Sequence, residues 1–154
     1  MITEDERKEI EAAATRFPVR RAAAVEALQV VQRHHGWVSD EDLGQVAEIL
    51  GLTVDELDGL ASFYSLVFRK PVGRHVILLC DSISCWVVGS EKILERLTQR
   101  LGVGLGGTDA DGRFTLLPSA CLGACDHAPA MLIDGDLHSD LTPDAIDAIL
   151  DRYK

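Results

Sequence analysis

Along the first half of the chain, apolar positions recur at helical spacing. Leu43, Val46, Ala47 and Leu50 fall at i, i+3, i+4 and i+7, and Val54, Leu57, Leu60 and Ala61 share one face of the segment after them. Start and stop signals bracket these runs. Thr3 with Glu6 and Thr53 with Glu56 read as capping boxes, in which a hydroxyl and a carboxylate three residues apart satisfy two otherwise unpaired N–H groups. Ser39 opens a third helix, which Gly51 ends. Another helix runs from about Val19 to His35, burying Val25, Leu28 and Val31 and stopping at Gly36; His34 and His35 read as its polar end. With the opening helix, which fades towards Pro18, this predicts a bundle of four short helices over residues 1–70.

The pattern changes after Pro71 and Gly73. His75–Leu79 is a continuous apolar run of strand length that ends at Cys80. Ile93, Leu94, Leu97 and Leu101 share a helix face that stops at Gly102. Arg113–Leu117 reads as a second strand, Ala130–Ile133 as a third, and a turn at Asp134-Gly135 leads to a short fourth around Leu137. Thr142-Pro143 caps a last helix with Ile146, Ile149 and Leu150 inward. The order β-α-β-β-β-α predicts an α+β chain: a helical bundle, then over residues 71–154 a mixed four-stranded sheet with helices against it, similar to a thioredoxin fold. Phe63, Tyr64 and Phe68 lie near the junction, where they are expected to be buried and to join the two halves; the alternative is that the rings face a partner.

Composition narrows the function. A formal net charge of −10 on 154 residues argues against a nucleic-acid partner, whose phosphates would be repelled. No apolar run approaches the roughly 20 residues of a membrane span, so no direct membrane insertion is expected. Met1-Ile2-Thr3-Glu4-Asp5-Glu6 lacks the basic and apolar regions of a signal peptide, which points to the cytosol. In that compartment four cysteines suggest metal or redox chemistry rather than structural disulfides.

Each cysteine belongs to a pair. Cys80 and Cys85 are spaced C-x4-C, and Cys121 and Cys125 are spaced C-x3-C. Each pair is expected in a loop just beyond a strand; if those strands are neighbours, the four thiolates converge at one end of the sheet. Gly123 and Ala124 allow close backbone approach, as do Gly89 and Ser90 beyond the first pair. Trp86 reads equally as a cover over such a site or as core. Zinc also takes four thiolates, usually in tighter C-x2-C pairs, so spacing alone leaves an iron–sulfur cluster and a zinc-stabilised interaction module both open.

Resemblance separates them. Cys80-Asp81-Ser82-Ile83-Ser84-Cys85, Asp111-Gly112-Arg113-Phe114-Thr115-Leu116 and Cys121-Leu122-Gly123-Ala124-Cys125 resemble the thioredoxin-like [2Fe–2S] ferredoxin family. The branch they look like is the one found in NADH:quinone oxidoreductase, respiratory complex I. Ala128-Pro129-Ala130-Met131, Leu141-Thr142-Pro143, Gly36-Trp37-Val38 and Ala61-Ser62-Phe63-Tyr64 extend the likeness over nearly the whole chain from about Pro18. Ala120, where many relatives carry an acidic residue, departs from the pattern without removing a ligand.

The resemblance implies that Cys80, Cys85, Cys121 and Cys125 bind one [2Fe–2S] cluster. It implies an electron-transfer subunit of NADH dehydrogenase with no complete active site of its own. Residues 1–70 are then a partner-binding domain for a flavin- and NADH-binding F-type subunit, which carries the FMN. The complex would sit peripherally on the cytoplasmic side of the inner membrane, and the cluster would transiently hold the second electron of a hydride delivered to the flavin. Equivalent subunits of NAD-linked formate dehydrogenases and hydrogenases are the alternative, and a free ferredoxin shuttle is a third reading.

Other signals carry less. Gly102, Gly104 and Gly107 spell G-x-G-x-x-G, but after a helix and before a strand, the reverse of a dinucleotide site, so they read as a flexible loop. Asp109, Asp111 and Gly112 lack the remaining ligands of a calcium loop and read as a turn. His127 follows Cys125 closely, but four cysteines leave it no ligand role.

Overall fold

A computed structural model describes residues 1–154, which separate into two compact units, Met1–Pro71 and Val72–Lys154. The first unit is helical: α1 (Glu4–Thr15), α2 (Ala24–His35), α3 (Asp40–Leu50) and α4 (Val54–Phe63). Thr3 and Thr53 form the capping boxes expected of them, and Ser39 forms another with Asp42. Gly36 (φ 82°) and Gly51 (φ 70°) end α2 and α3 in the left-handed conformation that glycine adopts without penalty.

The helix expected from Val19 begins later. Val19 is extended (φ −127°, ψ 128°), and Arg20–Ala23 form a 3-10 turn before α2 starts at Ala24. The Arg20 guanidinium donates to the Ile49 carbonyl at 2.8 Å, which ties this turn to the end of α3. Ile10, Leu28, Val31, Leu43, Val46 and Leu57 form the dry centre of the bundle.

His35 is not merely a polar helix end. Its Nε2 lies 2.9 Å from Glu6 Oε1 and its Nδ1 3.1 Å from Asp42 Oδ2, so one ring joins α1, α2 and α3. Phe63 is 80% exposed and meets Tyr64 edge-on at 5.4 Å, so the burial expected of it is not realised.

The second unit is a four-stranded sheet of order β2-β1-β3-β4. Its strands are β1 (His75–Cys80), β2 (Phe114–Ser119), β3 (Met131–Ile133) and β4 (Asp136–His138), with helices α5 (Ile83–Val87), α6 (Ser90–Leu101) and α7 (Ile146–Leu150). Strand β1 lies centrally, parallel to β2 and antiparallel to β3. A continuous apolar run suits such a strand, because both faces of its backbone are covered. Ile77, Leu79, Phe114, Leu116, Met131 and Ile133 pack with Ile93 and Leu97 of α6 and with Ile146 and Leu150 of α7. Arg100 reaches Asp147 at 3.3 Å and Asp151 at 3.2 Å, and Arg96 also pairs with Asp147, clamping α6 to α7.

Two details differ from the sequence reading. The last helix begins as a 3-10 turn, Pro143–Ala145, with the Ala145 N–H donating to the Thr142 carbonyl at 3.0 Å. The glycine-rich stretch is not a loose loop: it lies along the free edge of β2. Gly106 N–H donates to the Leu116 carbonyl at 2.7 Å, Leu116 N–H to Gly107 at 3.0 Å, and Asp109 N–H to Phe114 at 2.9 Å. A Cβ at Gly107 would stand 2.9 Å from that of Val103, so the tight return needs glycine there.

Candidate iron–sulfur site

The sheet register positions the cysteines. Cys80 is the last residue of β1 and pairs in parallel with Ser119, two residues before Cys121. Parallel neighbours end on the same side, so the chain leaves β1 and β2 close together. Cys80 N–H donates to the Ala130 carbonyl at 3.1 Å and Asp81 N–H to the Ser119 carbonyl at 3.0 Å, which fixes the turn after β1 on both flanks.

Cys80 and Cys85 were expected in a loop, and this is corrected. Cys80 belongs to the strand, and Cys85 sits in α5, a five-residue helix that follows at once. Helical spacing turns Cys85 inward, to 2% exposure, while Ile83, Trp86, Val87 and Val88 face outward. Burial, and then the neighbouring Cys80 thiol, push the Cys85 thiol above its usual pKa; a backbone hydrogen bond with Ala130 works the other way. Cys125 also lies close enough to disfavour a lone negative charge on Cys85. Ala130 therefore anchors Cys80 through its carbonyl, a role no motif announces.

The second pair is differently housed. Cys121 and Cys125 are exposed, in an irregular segment closed by the 3-10 turn Cys125–His127. Gly123 takes φ 76° and donates its N–H to Cys121 Sγ at 3.3 Å. That conformation is easy for glycine and strained for other residues. His127 Nδ1 lies 2.9 Å from Asp140 Oδ2, so this ring has a partner other than a metal.

Trp86 is 54% exposed, with its indole N–H 3.2 Å from Glu91, and is therefore not core. A cleft of about 180 Å³ beside it, walled by Glu91, Leu94 and Pro118, reaches Cys80 and still leaves that residue 2% exposed.

The residues present fit a two-iron cluster. All four cysteines are free, and a [2Fe–2S] centre takes four thiolates. A two-iron cluster is spanned by two pairs of thiolates, and the chain supplies two pairs. One sulfur already faces a backbone donor, the kind of contact that tunes such clusters.

Comparison with known proteins agrees with this chemistry. The family described as "Thioredoxin-like [2Fe-2S] ferredoxin" matches residues 10–154. The E-type subunit of NADH-quinone oxidoreductase from Pseudomonas aeruginosa is 46% identical over 153 residues, covering 99% of this chain and 92% of that protein. Its counterpart of the same name from Escherichia coli is 48% identical over 149 residues, covering 97% and 90%. Among solved structures, an NAD+-reducing [NiFe]-hydrogenase is similar with a TM-score of 0.73 and 26% identity, over 85% of this chain and 22% of that one.

Proposed function

The chain belongs to the thioredoxin-like [2Fe–2S] ferredoxin family, and from that premise we propose that Cys80, Cys85, Cys121 and Cys125 hold one [2Fe–2S] cluster in a subunit of the NADH-oxidising part of NADH:quinone oxidoreductase. One observation carries the ligand set: the parallel register of β1 and β2, which sets Cys80 beside Ser119 and so brings the two cysteine pairs to one end of the sheet. When bound, the cluster supplies one-electron uptake and release, which two-electron hydride donors need at their flavin.

The chain's own residues do the rest. Strand β1 and α5 hold Cys80 and Cys85 away from water, and the Ala130 carbonyl fixes Cys80. Gly123 presents its N–H to Cys121 sulfur, a contact that favours the more negative, reduced state of a cluster. The exposed apolar strip of Ile83, Trp86, Val87 and Val88 beside Cys85 suits contact with another subunit close to the electron-carrying end. We assign that subunit as the flavin- and NADH-binding one. Attachment to the cytoplasmic face of the membrane then comes through the complex, and no helix of this chain is long and apolar enough to cross a membrane. The similarity to an NAD+-reducing hydrogenase keeps an equivalent subunit of such an enzyme as a second reading; identities of 46–48% over nearly the full length favour the quinone-linked complex.

Single Cys→Ser replacements test the ligand set. Each of the four is expected to lower the iron and sulfide retained by the purified chain, and full retention in any of them removes that cysteine from the set. Gel filtration with a purified flavin- and NADH-binding subunit tests the partner: co-elution with one FMN per chain is expected, and separate elution contradicts it.

A further inference from the structure

We infer that the exposed Cys121–Cys125 loop is the port through which a preformed [2Fe–2S] cluster enters the chain, by thiolate exchange with a thiol-ligated donor, and that the buried Cys80–Cys85 pair closes on it second. The inference rests on the proposed four-cysteine ligand set and assigns its two halves different tasks.

The asymmetry between the pairs is large. Cys80 and Cys85 are each 2% exposed, whereas Cys121 and Cys125 are both exposed. Cys80 is locked into the central strand, with hydrogen bonds to Ala130 and, through Asp81, to Ser119. Cys85 lies in α5, whose first turn is closed by the Trp86 N–H to Ser82 carbonyl bond at 2.9 Å. The second pair spans irregular backbone and the first residue of a short 3-10 turn, and one of its sulfurs already has a backbone donor at 3.3 Å. The cleft beside Trp86 is the competing approach, but it leaves Cys80 2% exposed.

A donor-held cluster has its irons covered by the donor's thiolates, so an acceptor sulfur must reach in and displace one at a time. Thiolate exchange of this kind requires access. An exposed thiol can begin it; one enclosed by strand and helix can act only after the donor has partly let go. The exchange balances without redox change. Four acceptor S–H groups each lose a proton and form an iron–sulfur bond; four donor iron–sulfur bonds break, and the four departing thiolates take up those protons. With a glutathione-ligated cluster, four glutathione molecules are released.

The test uses the full chain, stripped of metal and kept reduced without oxygen. Brief treatment with iodoacetamide followed by peptide mass spectrometry reads each thiol separately. Cys121 and Cys125 are expected to be alkylated at least about tenfold faster than Cys80 and Cys85. Uptake from the glutathione-ligated [2Fe–2S] complex is then followed by visible circular dichroism. Cys121→Ser is expected to lower the second-order rate at least about tenfold more than Cys80→Ser does. Equal alkylation of all four thiols, or equal slowing by the two variants, overturns the order of entry and leaves the ligand set standing. A wild-type chain that gains no cluster, either from this donor or from iron and sulfide, overturns the ligand set and the port with it.

Discussion

Replacing His35 by alanine tests how the helical unit is held together. The ring stands between Glu6 of α1 and Asp42 of α3, at 2.9 and 3.1 Å, and both carboxylate side chains are only 4% accessible. One ring nitrogen faces each acid, so the ring bridges the two carboxylates. Without it, two shielded carboxylates lose a shared partner, and a buried acceptor left short of one costs about 1–3 kcal/mol. Each acid keeps other partners: the Thr3 N–H for Glu6, the Ser39 hydroxyl and N–H for Asp42, and the Met1 amino group 3.3 Å from Asp42. The expected cost is therefore at the low end for each acid, about 2 kcal/mol for the two together.

The cost should also depend on pH. Glu6 is held below its ordinary 4.5, chiefly by the Thr3 N–H against the opposing effect of burial, with His35 assisting. Burial pushes Asp42 upward, but Ser39 and His35 together bring it below its ordinary 3.8. Acids with lowered values contribute stability that is complete above those ordinary values and is lost as pH falls through the folded ones. Removing His35 lets both carboxyls protonate at higher pH and so relieves their exposure to each other. The gap between wild type and variant should stay level from pH 7 to pH 4.5 and narrow as pH falls from 4.5 towards 3, measured by urea unfolding with far-ultraviolet circular dichroism. A cost under about 1 kcal/mol at pH 7, or a gap that widens on acidification, would refute the reasoning.

Two further substitutions probe other parts of the account. Phe63→Ala should change stability by no more than about 0.5 kcal/mol, because the ring is 80% exposed; a marked fall in melting temperature would show that it is buried after all. Gly123→Ala forces a side chain into φ 76°, a strain of about 1–2 kcal/mol, and should speed loss of iron to a chelator; retention equal to wild type would show that this loop geometry does not matter to the site.

Much of the helical unit was legible because its signals are local. A capping box or a stop glycine needs only neighbouring residues, and Thr3, Thr53, Gly36 and Gly51 act as their positions suggested. The Glu6–His35–Asp42 link was not, since three helices must assemble before those side chains meet. A signal was nonetheless present: both acids stand three residues after a capping hydroxyl, on the inner side of their helices.

In the second unit, β1 could be read from its apolar run and the cysteine pairs from their spacing. The parallel pairing that unites them is a tertiary fact. Helix α5 escaped because Ser82-Ile83-Ser84-Cys85 alternates polar and apolar residues as a strand does, and a helix of five residues is too short to establish a helical period. Its geometry decides that Cys85 faces inward and Trp86 outward. The glycine-rich stretch looked loose for a related reason: its hydrogen bonds go to the edge of β2, which sequence order alone does not place beside it.

The most direct measurement counts iron, acid-labile sulfide and zinc in the chain purified without oxygen, and records its electron paramagnetic resonance spectrum before and after one-electron reduction. Two irons and two sulfides per chain, with a signal appearing only on reduction, are predicted. A colourless chain holding one zinc, which gains no such signal after reconstitution with iron and sulfide, would contradict the account.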